Sequence, residues 1–232
     1  MMKRDKPGDE VGPVAAFLRE QHLQEAGLDA KALQALLGEL RVSGGSEGPG
    51  KRAGTICFLE DENTGRILLL QRNKEPFRGL WTAPGGKVDP GEDPVQAIIR
   101  EMREEADLQI RDPWLRGVTI EEGPPAYNWV LFIFRCGRYA GKLGQTEEGR
   151  LAWVEKANLA GIGMHEVDRR LLGAIFPEMA MISPEAANGG QAGRVATRQR
   201  SAKRKPASGA PFVARVRYAD DYSLQDIKLV LG

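Results

Sequence analysis

The sequence predicts a mixed α/β (α+β) protein, and three observations carry that reading. Short apolar runs of strand character recur along the middle of the chain, the strongest from Asn128 to Cys136. They alternate with amphipathic helical stripes, the most complete being Val95, Ile98, Ile99, Met102 and Ala106. Turn-forming segments such as Asn63-Thr64-Gly65 and Pro84-Gly85-Gly86 separate the two kinds of element.

Residues 1–50 read as a helical N-terminal extension. Val14, Phe17 and Leu18 suggest one helix, and Leu33, Leu36, Leu37 and Leu40 form a clearer stripe behind an Asp29 N-cap. Ser43 to Gly50 is rich in glycine and serine and reads as a flexible linker. A second domain spans 51–184 and opens with strands Thr55–Leu59 and Arg66–Arg72 around the Asn63-Thr64-Gly65 turn. A helix follows at Pro94. Asp93 is its N-cap, proline suits its first position, and Gln96 completes a capping box. Strands are then expected at Trp114–Ile120, Asn128–Cys136 and Arg150–Val154. In the middle one, alternation puts Asn128, Val130, Phe132 and Phe134 on one face and Trp129, Leu131 and Ile133 on the other. One face meets helices and the other lines a pocket, and periodicity leaves open which. Leu171, Leu172, Ile175 and Phe176 mark a helix that stops before Pro177. Residues 185–211 form a basic connector, and 212–232 a strand-like tail of two short strands around Asp220-Asp221. A lone hairpin is marginal in water, so the tail is expected to pack on the sheet, on the N-terminal helices or on a partner subunit.

The helix at Pro94 carries the chemistry. Glu101, Glu104 and Glu105 lie on a face apart from the apolar stripe, and neighbouring like charges on a helix cost a few tenths of a kcal/mol per pair. A solvated acidic face neutralised by Arg100 and Arg103 is one reading. A hard divalent cation held by oxygen ligands is the other, and the glycine turns at Gly85-Gly86 and Gly91-Glu92 favour it. The segment Gly86 to Leu108 resembles the signature of the Nudix hydrolase family. Gly86, Glu92, Arg100, Glu101, Met102, Glu104, Glu105 and Leu108 match it, and Asp107 departs where a glycine is usual. That glycine would sit just past the helix in a left-handed conformation, which aspartate tolerates better than most residues.

The resemblance covers roughly residues 53–178 and implies the Nudix fold, a mixed sheet sandwiched between helices. It implies hydrolysis of a nucleoside diphosphate linkage with Mg²⁺, or Mn²⁺ as a substitute. Glu101, Glu104, Glu105 and the Gly86 carbonyl are the implied metal ligands, with Glu148 as a further one from the loop before Arg150. Glu101 or Glu105 is the implied general base, with Arg100 holding a signature carboxylate in place. Gly85 and Glu92 belong to the structural frame, and Arg72 and Glu147 are expected at the substrate. Within the family, Gly79–Glu92 and Glu148–Val154 look most like the MutT-type purine nucleoside triphosphate pyrophosphohydrolases, which remove nucleotides such as 8-oxo-dGTP. The leading expectation is therefore cleavage of a nucleoside triphosphate to monophosphate and pyrophosphate. ADP-ribose hydrolysis is the alternative, suggested by Pro124 and Pro125 near the position of a subgroup proline. A nucleotide- or nucleic-acid-binding regulator on the same scaffold is a third reading.

Composition sets the remaining expectations. The chain has 232 residues, 41% of them hydrophobic, and a net charge of +1. That suffices for a core, and no stretch approaches the length of a membrane span. No apolar signal-peptide core follows Met1-Met2-Lys3-Arg4, and Cys57 and Cys136 read as buried small hydrophobes, so a reducing cytoplasm is expected. His22 and His165 are solitary and read as structural or exposed. Between Asn188 and Pro211, Arg194, Arg198, Arg200, Lys203, Arg204 and Lys205 occur without an acidic residue. The run reads first as a solvated linker and second as a nucleic-acid contact, since it lacks interleaved aromatics. Two appendages that must bury apolar residues make a homodimer a further expectation.

Overall fold

The computed structural model describes residues 13–19, 51–124, 127–159, 161–180 and 211–231. The expected helix at Leu33–Leu40, the linker at 43–50, His22, Pro125 and the basic connector as far as residue 210 lie outside the described residues. The elements run α1 (Pro13–Arg19), β1 (Arg52–Leu59), β2 (Ile67–Arg72), β3 (Trp81–Thr82), β4 (Gly85–Lys87), α2 (Pro94–Ala106), β5 (Leu108–Arg111), β6 (Trp114–Glu122), β7 (Asn128–Cys136), β8 (Arg138–Gly141), β9 (Gly149–Val154), α3 (Glu166–Ile175), α4 (Pro177–Ala180), β10 (Phe212–Tyr218) and β11 (Leu224–Leu231).

The main sheet has six strands in the order β11-β10-β6-β7-β1-β4. β1 runs parallel to β7 and β10 parallel to β6, whereas β6–β7, β1–β4 and β10–β11 are antiparallel, so the sheet is mixed. A second sheet, β3-β2-β9, carries the Trp153 strand beside β2, and β5 pairs with β8. The strands missed in the sequence are the shortest ones, β3, β4, β5 and β8, which are too brief for a period of two to register.

Apolar side chains leave both faces of the main sheet. Cys57, Leu59, Val130, Phe132 and Phe134 join Ile98, Met102 and Ala106 of α2 in one core. Phe58, Ile56 and Ile133 join Val167, Leu171, Ile175 and Phe176 on the opposite face. Helices therefore cover both faces of β7, so neither alternating set of its side chains is reserved for a pocket. α1 belongs to the first core, with Phe17 edge-on to Phe132 at 5.8 Å between ring centroids. Both cysteines are buried and free. The α2 stripe is rotated slightly from its expected position: Ala97 is buried and Ile99 is 38% exposed. Ile98 and Met102 point straight at the sheet, which turns residue 99 about 100° away from it.

The C-terminal tail packs on the sheet as two of its strands. Phe212, Ala214 and Val216 of β10 are buried, and Phe212 lies over Gly117, where an added Cβ would come 2.4 Å from its ring. Pairing with β6 satisfies the backbone of a hairpin that could not stand alone. Among the described residues, no helix is long and apolar enough to cross a membrane.

Candidate active site

α2 aims its acidic face at the turn leading through β4. The helix begins as expected: Asp93 accepts from the N–H groups of Val95 and Gln96 at 2.8 Å each, and Gln96 accepts from Asp93 N–H at 3.0 Å. It ends at Asp107, in the left-handed region at φ 57°. A side chain fits there because residue 144 has none; a Cβ on Gly144 would lie 2.0 Å from Asp107 Oδ2. The departure from the signature at 107 is thus accommodated locally and leaves the carboxylates alone.

Arg100 is the hub of the acidic face. Its Nε and Nη2 donate to the two oxygens of Glu92 at 2.8 and 2.9 Å, a bidentate pair. Nη1 donates to Glu101 at 2.9 Å and Glu104 at 3.1 Å, and Nη2 also reaches the Lys87 carbonyl at 3.0 Å. Glu92 is spent on this contact and on the Asp89 N–H, and the arginine holds its carboxyl below the usual range. Glu92 therefore ties the β4–α2 loop to the helix. Exposure separates the other two acids, since the Glu101 side chain is 13% exposed and that of Glu104 is 52%.

Glu105 stands apart from this network. Its carboxylate accepts from Gly85 N–H at 3.2 Å. Burial first, and then the neighbouring Glu101, push it up to about 7, with Glu148 adding to the rise and Gly85 and Arg72 opposing it. Burial likewise raises Glu101. The two glycines have different duties. The bonds Cys57 N–H to Pro84 O and Val88 N–H to Ala53 O bracket Thr55 and Gly86, which by antiparallel alternation are the bonded pair between them. The backbone of Gly86 thus faces β1, and Gly85 is the residue that turns a backbone group toward the carboxylates. Gly86 contributes by lacking a side chain, because an added Cβ would sit 2.4 Å from Glu101 Oε1.

The remaining candidates come from two loops tied to each other. Asn73 N–H donates to the Glu148 carbonyl at 3.0 Å, and its side-chain amide to the Glu147 carbonyl at 2.7 Å. Lys74 pairs with the Glu148 carboxylate. Glu148 faces Glu105 closely enough to perturb it, whereas Glu147 is exposed and engages through its backbone. Arg72 is half-buried at the end of β2, with Nε donating to the Pro76 carbonyl at 3.1 Å. Asn73 and Lys74 were missed in the sequence, although they directly follow Arg72 in an otherwise apolar strand's exit.

All the donors assembled here are oxygens, which suits Mg²⁺ or Mn²⁺. Among the described residues no three acid, imidazole or thiol groups converge on one point. Glu101 and Glu104 bond Arg100, while Glu105 faces Gly85. Glu101 and Glu105 repel each other, Glu148 adds to the repulsion at Glu105, and the bare Gly86 leaves room for the Glu101 carboxylate, so these oxygens are the ones that could hold a divalent cation.

A second polar cluster lies behind Arg72, and of its members the sequence singled out only His165, read as structural or exposed. Glu121 is buried and accepts from Thr119 at 2.6 Å and from Tyr127 at 2.8 Å. Asp168 on α3 is buried, accepts from Thr82 at 2.7 Å, and is pushed up to about 6 by burial. His165 precedes α3 with its ring packed 4.2 Å from that of Phe77, and burial pulls its pKa down.

The profile of the NUDIX domain family matches residues 50–172. A Nudix hydrolase of Bacillus subtilis, YvcI, is 36% identical over 123 residues, which are 51% of this chain and 75% of that protein. The human 8-oxo-dGDP phosphatase NUDT18 is 35% identical over 107 residues, 44% of this chain and 31% of its own length. The chain therefore spans about a third of that human relative. A MutT protein from Bacillus halodurans superposes with a TM-score of 0.57, covering 77% of this chain and 97% of its own at 23% identity. That likeness is one of fold.

Proposed function

The chain belongs to the NUDIX family, hydrolases of pyrophosphate linkages, and from that premise we propose that it cleaves a nucleoside triphosphate to the monophosphate and pyrophosphate. The base is a purine, ordinary or damaged as in 8-oxo-dGTP or ITP. The observation that carries the reading is the half-buried carboxylate of Glu105 on the signature helix, which lies beside Glu101 and accepts from the Gly85 N–H. A carboxylate so placed on the signature helix can take a proton from a nearby water. The purine preference is supported by the likeness to a phosphatase named for 8-oxo-dGDP.

Glu101 and Glu105, with Glu148 and Glu104 near, would hold Mg²⁺, which would supply charge neutralisation at the phosphates and a more acidic water. The chain's own residues do the rest. Arg100 fixes Glu101 in one rotamer and keeps Glu92 and the β4–α2 loop against the helix. Glu105 takes the proton of the attacking water. Arg72 meets a phosphate oxygen, and the Lys74–Glu148 pair sets the position of the β9 loop carboxylate.

The test is a panel of dGTP, 8-oxo-dGTP, 8-oxo-dGDP, ITP and ADP-ribose with Mg²⁺, with products identified by mass spectrometry. Monophosphate and pyrophosphate are expected from a purine triphosphate. Absence of hydrolysis of every triphosphate would sink this reading, and turnover of ADP-ribose alone would move the assignment to a dinucleotide-type linkage.

A further inference from the structure

Two adjacent residues at the exit of β2 hold the loop of Glu148, one through its backbone and one through its carboxylate. The Asn73 N–H donates to the Glu148 carbonyl at 3.0 Å, and the Asn73 side-chain amide donates to the Glu147 carbonyl at 2.7 Å. The Lys74 ammonium pairs with the Glu148 carboxylate. Among the described residues that carboxylate has no second ion pair.

The surrounding backbone keeps these contacts in place. β2 and β9 pair as far as Arg72 and Gly149, and a Cβ on Gly149 would lie 2.0 Å from the Gln71 carbonyl oxygen. The two chains therefore meet as closely as bare backbone allows, one residue beyond Glu148. On its other side the Glu148 N–H donates to Thr146 Oγ1 at 3.1 Å, and Thr146 bridges back to Gly149. The loop bearing Asn73 and Lys74 is closed in the same way. Arg72 N–H donates to the Leu80 carbonyl at 3.0 Å, and Gly79 N–H to the Arg72 carbonyl at 2.8 Å. An exposed ion pair is usually worth little, because two long side chains must be ordered to make it. Here the backbone has already fixed one partner.

The two contacts have opposite consequences for a cation. Anchoring the loop brings a third negative charge to bear on Glu105, which already faces Glu101, and a divalent cation relieves that repulsion. The ammonium works the other way. While Lys74 holds a Glu148 oxygen, any cation that takes this oxygen must compete with it.

We propose that Asn73 and Lys74 form a two-part clamp on Glu148. Asn73 is a positioning residue that presents the Glu148 loop to the divalent cation, and Lys74 is a resident counter-ion that gives up the carboxylate when the cation binds. The clamp rests on the reading above only for the place of Glu148 among the metal-holding oxygens. It is independent of which nucleotide is cleaved. Its signature is a pair of neighbouring residues whose removal changes metal affinity in opposite directions, which a general loosening of the loop would not produce.

The test measures Mn²⁺ affinity of the full chain without nucleotide, from the loss of the free-ion electron paramagnetic resonance signal. Wild type, Asn73→Ala, Lys74→Met, Glu148→Gln and the two double variants with Glu148→Gln are compared. Asn73→Ala should weaken Mn²⁺ binding about fivefold. Lys74→Met should tighten it by about two- to fivefold, the range for an ion pair whose side chains are 54% and 36% exposed. Both effects should disappear in the Glu148→Gln background, where neither residue has a carboxylate to act through. Changes of the same sign overturn the clamp, as does a Lys74→Met effect that persists without the Glu148 carboxylate, which would be a field acting through space. If Asn73→Ala does not fold, Asn73→Leu, of similar size without the amide, is read in its place. Glu148→Gln that binds Mn²⁺ as wild type does overturns the clamp and leaves hydrolysis through Glu105 standing. A wild type that shows the expected pattern but cleaves no triphosphate supports the clamp and removes only the triphosphate reading.

Discussion

Glu105 is held between opposing fields, and the balance has a measurable sign. Burial and Glu101 raise it from 4.5 to about 7, against the pull of Gly85 N–H and Arg72. Below pH 4.5 the carboxyl is protonated in both the folded and the unfolded chain, so it has no effect. As pH rises toward 7 the unfolded chain gives up this proton while the folded one keeps it, so stability falls, by about 3 kcal/mol in all. In EDTA, Glu105→Gln should therefore melt above wild type at pH 8 and together with it near pH 4.5. In Mg²⁺ the same variant should lose activity by about 10²–10⁴-fold. A difference in melting that ignores pH would refute this account of Glu105. Gly85 and Gly86 allow a sharper contrast. An added Cβ at Gly85 meets the Thr55 carbonyl at 2.1 Å on a backbone at φ 147°, whereas at Gly86 it meets only the flexible end of Glu101. Gly85→Ala should thus destabilise the fold, and Gly86→Ala should fold normally but lose activity as Glu101 is displaced. Thermal melts beside turnover rates check both.

At the scale of the element, α2 was legible almost from cap to cap. Its capping box, its first-turn proline and the separation of acidic from apolar face are local properties, set by 3.6-residue periodicity and by orphan backbone donors. The rotation that exposes Ile99 and buries Ala97 was not legible, because the angle at which a helix meets a sheet belongs to both partners. The left-handed end at Asp107 offers a test. Asp107→Gly, the family's usual choice, removes the steric cost of φ 57°, and should raise stability by about 1 kcal/mol without altering turnover. A denaturant midpoint that falls would mean that the Asp107 packing over Gly144 outweighs the strain.

For the whole molecule, the β10–β11 hairpin is the element whose role depends most on its surroundings. It completes the six-stranded sheet, buries Phe212 over Gly117, and packs Tyr218 and Tyr222 against Phe77. A chain ending at residue 211 leaves the β6 edge unpaired and one apolar face open, so it should melt lower and aggregate. Phe212→Ala in the full chain should cost about 3–5 kcal/mol, read from chemical denaturation. A truncated chain as stable as the full one would show that the hairpin is not part of the cooperative unit.

By itself the sequence determined the fold class, the helix bearing Glu101, Glu104 and Glu105, and the chemistry those acids suit, because spacing on one helix dictates which side chains share a face. The alternation of β7 and the strand character of the tail were equally readable. Beyond the expected pairing of Arg100 with a signature carboxylate, tertiary structure decided which partner each group received. It gave Glu92, Glu101 and Glu104 to Arg100, Glu105 to Gly85 and Lys74 to Glu148. It also placed residues 77, 127, 165, 218 and 222 around one point. The physical reason is that periodicity acts over a few residues, whereas these contacts follow from strand order. The parallel pairing of β10 with β6 brings residues 218 and 222 beside Phe77 and Tyr127, and only the assembled sheet specifies it.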